Sequence, residues 1–538
     1  MKNAVLYLVL LFLSFRPGVI AQDFLDTVSY IPVVVTSWQD IDGDYRDGIP
    51  LIKAMGADAM VIANHSWNDL SIFNPMKILH YRHKQDAEPY DIVKYTDASY
   101  VVYEAEGTDT AHGRATLEVN SAIGFVPSGA YYAQTADTTR GYLILGPGVL
   151  QRMRYQDYFE NQVQIDYQTD YILRLQNDSG YTLPDSLKIC DLEITVRQKD
   201  SFYVMKPVKY KSITYRDFVD KGLNTWQPWD LSYRLDSLQF KMNPHLAPPI
   251  EETADSVKWS ATYVEYRVKW HGVSGLTLSV DKIITSDQRG REIVTIPSIQ
   301  NSVRAKAFAY KDRQNMLGWY GMEEPKFIDN YEPYRIVDSI VRAATGNTQF
   351  LHTSITPGEL GKYWYGNDGS WKYSPIIEFA KRAKPHIMHL NLYHYHNPNG
   401  LNQPGYLNNN INWVILNLDS MALLNRRYGL DFGYAVYGGD SWSYDTLGNQ
   451  THVLYRPTTE QLLYTTYLGL LYGAKQIWID PAFSYNVNGI PGKPGTRGLL
   501  DSTLGITSTY NTFKDTIIPL LHGEFGRTLK KMKAVIQF

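Results

Sequence analysis

The chain has 538 residues, 44% of them hydrophobic and 20% charged, with a net charge of −3. That is the composition of a globular protein with room for two or more domains, and so small a net charge gives no footprint for nucleic acid or an anionic membrane surface. Its one cysteine, Cys190, excludes an intramolecular disulfide. The 42 Tyr and 12 Trp are the unusual feature. Such residues suit strands and cores, and they also supply flat apolar platforms for the C–H faces of sugar rings.

Residues 1–21 read as a secretory signal. Lys2 is the positive end, Ala4 to Phe15 the apolar run, and Val19-Ile20-Ala21 a small-residue cleavage site. That run is short for a membrane span, and no other stretch approaches spanning length. The expectation is an exported protein, secreted or periplasmic in a bacterium, with no transmembrane segment after cleavage.

From 22 to 86, strand and helix patterns alternate. YIPVVVTSW is a strand, YRDGIPLIKAMG a helix ending at Gly56, DAMVIANHS a strand, LSIFNPM a link and KILHYRH a third strand. Between 87 and 290 the pattern changes to short alternating runs such as YVVYEAEG, LEITVRQ and YVEYRVKW, separated by Gly, Asp and Ser. This predicts an antiparallel β-sandwich without a strong helix. From 291 to 538 the helix–strand alternation resumes. SVRAKAFAYKDRQ, YEPYRIVDSIVRAATG, YSPIIEFAKRA, INWVILNLDSMALLNRRYG and TTEQLLYTTYLGLLYGA read as helices. MLGWYGMEEP, TQFLHTSI, PHIMHLNLYHYH, LDFGYAVYGGD and KQIWIDPAF read as strands, and TFKDTIIPLLHGEFGRTLKKM supplies a last helix. Three strand–helix units before the insert and five after it predict a (β/α)8 TIM barrel interrupted after its third strand. GIPGKPGTRG reads as a mobile loop after the eighth strand. It lacks the Ser/Thr that would follow a phosphate-binding Lys.

Active groups of such barrels lie at the C-terminal ends of the strands. The strand ends here carry Trp38, Asn64, His65, His80, Glu323, Glu324, His352, Ser354, Asn391, Tyr393, His394, Tyr437, Asp440, Trp478 and Asp480. Carboxylates among aromatics, with no nucleophilic cysteine and no GxSxG motif, point to glycoside hydrolysis. In that chemistry one carboxylic acid protonates the leaving oxygen, and a second carboxylate attacks the anomeric carbon or activates water. Trp319 and Tyr320 precede the Glu pair, and an aromatic pocket would raise the pKa of an acid there. His394 and His396 share one face of their strand, a spacing compatible with zinc. Hydrogen bonding to sugar hydroxyls is the favoured use of those rings, so no metal and no cofactor is expected.

LGWYGMEEP resembles the fourth-strand signature of glycosidase-like (β/α)8 proteins, in which GWY is followed by Asp-Glu-Pro or Asn-Glu-Pro. The resemblance implies that Glu324 is the general acid/base. It places Glu323 where the family commonly has an Asn that contacts the sugar 2-hydroxyl. LLYGAKQIWIDP is similar to the eighth-strand region of those enzymes. WHGVSGLTLSVDKIITSD is similar to the closing strands of jelly-roll carbohydrate-binding modules. Retaining members carry a nucleophilic Glu at the end of strand seven, where this chain reads YAVYGGDSW. Asp440 is therefore the expected second carboxylate and Asp480 its rival. The expectation is an exported glycoside hydrolase acting on a poly- or oligosaccharide. The alternatives are a non-catalytic glycan-binding surface protein and a metal-dependent hydrolase. The expected ligand-contacting residues are Glu323, Trp38, Asn64, His65, Trp319, His352, Asn391, Tyr393, His394, Tyr437, Trp478 and Asp480.

Overall fold

A computed structural model describes residues 27–40, 46–63, 70–81, 90–96, 98–104, 116–117, 123–126, 130–134, 141–148, 165–177, 180, 182–198, 209–235, 262–273, 275–313, 315–321, 330–355, 375–392, 404–444, 450–486 and 494–532. Residues 1–21, read above as a signal, lie outside them.

The parallel sheet contains Val33–Asp40, Ala59–Ala63, Lys77–Tyr81, Met316–Tyr320, Phe350–His352, Ser354–Ile355, Met388–Leu390, Phe432–Tyr437 and Gln476–Asp480. Its nine pieces run in a row whose two ends are Phe350–His352 and Ser354–Ile355. These ends are consecutive parts of one chain segment, broken only at Thr353. Counted as one strand they leave eight, and the sheet closes on itself. Gly321 N donates to His352 O at 2.7 Å on one side of that segment, and His389 N donates to Thr353 O at 3.0 Å on the other. The first strand pairs in parallel with the eighth, Val34 opposite Trp478. The third pairs with the fourth, His80 opposite Trp319, across the whole insert.

Alternation along each strand sorts the core into two layers. Val33, Val35, Met60, Ile62, Ile78, Trp319, Leu351, Leu390, Tyr434, Val436, Ile477 and Ile479 face the helices and join one large apolar core. Val34, Ala59, Val61, Leu79, Leu317, Tyr320, Ala435 and Trp478 form a separate cluster inside the ring. The helices follow the sequence expectation. Pro297–Tyr310, Tyr331–Thr345, Pro375–Ala383, Pro404–Tyr428 and Thr459–Leu471 each precede or follow a barrel strand. Tyr331–Thr345 ends on Gly346 in the left-handed region, φ 64°. Thr458 and Gln461 form a capping box at the start of Thr459–Leu471. The last expected helix is broken into Ser508–Thr512, Phe513–Ile517, Ile518–His522 and Glu524–Lys531. Pro519 and Gly523 lie in that stretch, and both interrupt helical hydrogen bonding. At the N-terminal end of the barrel, Asp58 accepts from Tyr30 Oη at 2.8 Å and from Val33 N at 2.8 Å, and meets His522 Nε2 at 2.9 Å. One carboxylate thus joins the first strand, the second strand and the C-terminal helices.

Between Tyr100 and Ser286 the strands join two antiparallel sheets, one of five strands and one with a path of five and two side pairings. Tyr171, Leu173, Leu175, Leu278 and Val280 of one sheet pack against Cys190, Leu192, Ile194, Tyr266 and Val268 of the other in one buried cluster. This is the expected sandwich. It also holds a helix that the sequence reading did not anticipate, Tyr215–Lys221, started by a Thr214/Asp217 capping box. The chain leaves and returns through adjacent segments: Ser286 pairs with Tyr100, Asp287 N donates to Ser99 O at 3.0 Å, and Asn330 Nδ2 donates to Ala98 O at 3.0 Å.

A third antiparallel sheet was not expected. It comprises Asp440–Tyr444, Gln450–Leu454, Tyr485–Asn486 and Pro494–Arg497. The loops after the seventh and eighth strands build it, so it stands at the C-terminal end of the barrel. Its strand Pro494–Arg497 corrects the reading of GIPGKPGTRG as a mobile loop. Residues 489–493 of that stretch lie outside the described residues.

Candidate functional site

Inside the ring, Trp478 is the central group. Its indole is 1% exposed. The His389 ring stacks on it at 3.9 Å with 14° between planes, and Tyr320 and His352 lie at 6.2 Å. Trp478 Nε1 donates to Gln476 Oε1 at 3.0 Å. The ring fits because the neighbouring strand has Gly433, whose absent Cβ would lie 2.6 Å from Trp478 Nε1. Burial pushes the His389 imidazole well below its ordinary pKa, and the nearby His352 acts in the same direction. His389 is therefore neutral in the fold but titrates normally once unfolded. The unfolded chain binds the extra proton as pH falls below about 6.5. The group's contribution is intact above that value and is lost as pH drops, by at most about 1.4 kcal/mol per pH unit. Denaturant midpoints measured between pH 8 and 5 should fall on the acid side, and His389→Gln should flatten that slope. An unchanged slope would contradict the buried neutral imidazole.

At the strand ends, Asp480 faces inward two positions above Trp478. The Thr36 hydroxyl of the first strand donates to Asp480 Oδ1. Tyr437 of the seventh strand pairs with Asp480 in register. Burial raises the Tyr437 hydroxyl far above its ordinary pKa, and the Asp480 charge raises it further. It remains a protonated donor beside a carboxylate. Asp440 stands just beyond, opposite Arg497 in the small sheet. Its Oδ1 is 3.4 Å from Arg456 Nη2. The same guanidinium reaches Gly498 O at 3.3 Å and Thr509 Oγ1 at 3.4 Å, so Asp440 is engaged in an ion pair that ties the small sheet to the barrel's rim.

Across the mouth, Ser354 and His389 are opposite one another on the fifth and sixth strands. Ile355, Leu390 and Leu392 belong to the outer core, so Ser354, His389 and Asn391 face inward. Asn391 N continues the ladder, donating to Ile355 O at 3.0 Å.

Of the residues expected at the site, the structure brings His352, Asn391, Tyr437, Trp478 and Asp480 to the inward face, with Asp440 beside them. Trp319 is not among them. Fully buried, it packs edge-on against Tyr310 at 6.2 Å in the helix-facing core. Its neighbour Tyr320 takes the inward position, because the register shifts between Met316 and Gly318. His80 sits between the outward-facing positions and is 1% exposed. Trp38 belongs to the first strand, but its side chain lies outside the described residues, as do Asn64, His65, Glu323, Glu324, Tyr393, His394 and His396. Sequence reading missed Thr36, His389 and Arg456. His389 had a signal, because it shares strand parity with Asn391. Thr36 and Arg456 reach their partners only through the fold. Among the described residues no group of three or more His, Cys, Asp or Glu could hold a metal ion, and no helix is long and apolar enough to cross a membrane.

No protein-family model matches the chain, and no curated protein matches it. Among solved structures, a GH2 β-galacturonidase from Eisenbergiella tayi bound to galacturonate is 10% identical, with a TM-score of 0.24 over 75% of this chain and 97% of that one. A β-glucuronidase from Ruminococcus gnavus in complex with N1-substituted uronic isofagomine is 11% identical, with a TM-score of 0.27 over 41% of this chain and 36% of that one. A β-galactosidase from the psychrophilic Marinomonas ef1 is 9% identical, with a TM-score of 0.30 and 44% of each chain covered. This chain thus spans less than half the length of the last two. Similarities this remote bear on neither fold nor reaction.

Proposed function

We propose that the chain is an exported glycoside hydrolase acting on a poly- or oligosaccharide bound at the C-terminal mouth of the barrel. The observation that carries this reading is the convergence of Asp480, Thr36, Tyr437 and Asn391 at the strand ends above an aromatic lumen. Interior barrel positions are normally filled by apolar branched residues, so polar groups gathered there favour a site over packing. In the proposed reaction Glu324 protonates the leaving glycosidic oxygen. Asp480 is the second carboxylate, preferred to Asp440 because Arg456 already engages the latter. Thr36 holds Asp480 in place, and Tyr437 stands beside it as a protonated hydroxyl. Trp38, Asn64, His65, Glu323, Tyr393 and His394 complete the mouth, and residues 87–290 form an inserted domain beside it.

Glu324→Gln and Asp480→Asn should each lower turnover of an oligosaccharide panel by about 10²–10⁴-fold, the scale of lost acid–base assistance, while circular dichroism stays unchanged. Near wild-type turnover in both variants would reject the reading. A second reading, a glycan-binding protein without catalysis, is favoured by one observation: the strand-seven position is held by an ion-paired Asp440. Saturable sugar binding by the native chain with no turnover on any member of the panel would select it.

A further inference from the structure

Three polar atoms on the fifth and sixth strands have no hydrogen-bond partner: Ser354 Oγ, His389 Nδ1 and Asn391 Oδ1. Ser354 is 1% exposed and His389 4% exposed. Asn391 sits at the rim, partly exposed. All three face the lumen from adjacent, hydrogen-bonded strands, so they form one row running inward from the mouth. Buried polar groups are normally satisfied, and three orphans in a row mark a place where something else supplies the partners. Deeper in the lumen Trp478 donates to Gln476, whose own Nε2 also has no partner, and at the mouth Thr36 donates to Asp480.

We infer that Ser354, His389 and Asn391 form a hydroxyl-recognition wall that selects a neutral sugar over a uronic acid. The inference rests on the carbohydrate reading given above and adds a substrate class to it. Each member of the wall suits a hydroxyl. The Ser354 hydroxyl both donates and accepts, the neutral His389 ring offers one donor and one acceptor, and the Asn391 carbonyl accepts. A hydroxymethyl arm passing Asn391 meets partners of both kinds. None of the three carries a charge to match a carboxylate. An anionic substituent there would lose its hydration in a buried slot. It would also meet the Asp480 carboxylate on the eighth strand, two strands round the ring from His389 and Asn391.

Calorimetric titration in a Glu324→Gln background tests this with xylotriose, cellotriose and galactotriose against trigalacturonate. At least one neutral trisaccharide should bind, and trigalacturonate at least tenfold more weakly. Ser354→Ala and Asn391→Ala should each weaken the neutral sugar about tenfold, one lost hydrogen bond to a ligand hydroxyl. The melting temperature of the free Ser354→Ala chain should stay the same or rise, because an orphaned buried hydroxyl is removed. Equal or tighter binding of trigalacturonate would overturn the inference and leave the carbohydrate reading intact. Unchanged sugar affinity in both variants, meaning that the wall holds only water, would do the same. No binding by any of the four sugars would overturn both.

Discussion

Replacing Trp478 by Ala is expected to cost about 3–5 kcal/mol, the range for deleting a large buried aromatic. The indole is enclosed on every side: His389 stacks on one face, Tyr320 and His352 lie within 6.2 Å, and Gly433 is small so that the ring can lie against its backbone. The surrounding strands belong to a closed ring and cannot collapse into the space, so the cavity should persist. A whole domain is stable by only about 5–15 kcal/mol, so the variant should unfold at markedly lower denaturant, or fail to accumulate. Trp478→Phe keeps an aromatic ring in place and should recover much of the loss. A midpoint shift for Trp478→Ala equivalent to under about 1 kcal/mol, against that range, would mean that the lumen is not packed around this residue.

Gly290→Ala should also be damaging, for a different reason. A Cβ at Gly290 would lie 1.8 Å from Ser99 O. That carbonyl cannot step aside, because it accepts from Asp287 N at 3.0 Å. Asp287 also caps the helix Gln288–Thr295, accepting from Gly290 N at 2.6 Å. The methyl group therefore has to spread the two segments where the sandwich joins the barrel. Overpacking of this kind costs about 1–3 kcal/mol and occasionally more. The damage should concentrate at the junction. Hydrogen exchange at 98–104 and 283–290 should speed up, while exchange in the strand Gln476–Asp480 stays slow. Uniform acceleration across the chain, or none, would contradict this picture of the junction.

The barrel could be read from the sequence because its signals are local. Apolar runs alternate with amphipathic stretches closed by glycines, and the count of eight survives errors of a few residues in each boundary. The sandwich was equally legible from short alternating runs. What escaped was structure without a local pattern. The rim sheet uses Pro494–Arg497 and Tyr485–Asn486, too short and too rich in Pro and Gly to read as strands. The inward choice of Tyr320 over Trp319 depends on a register shift at Leu317, and no hydrophobic pattern marks it. The strand-end placement of several candidate groups was legible, but not their partners. Asp480, Asn391, Tyr437 and Trp478 stood out as unusual groups at strand ends. That Asp480 is held by Thr36 and Asp440 by Arg456 depends on residues brought together from distant parts of the chain.

The pairing of the first barrel strand with the eighth sets an order on folding. Val34 lies opposite Trp478, and Asp58 meets His522, so neither the wall of the ring nor its lower clasp can form until nearly the whole chain is present. The sandwich has no such wait. Its outermost strand pair joins Tyr100 to Ser286, and all its partners lie between them, so it can be complete while the last barrel strands are still being made. Domains generally fold as units during synthesis, and contacts this far apart in sequence form late. For much of its synthesis the chain is thus a finished sandwich carried between two parts of an open sheet. In that interval the edge of Val33–Asp40 that the eighth strand will cover is unpaired, and an unpaired strand edge is a place where chains can associate wrongly.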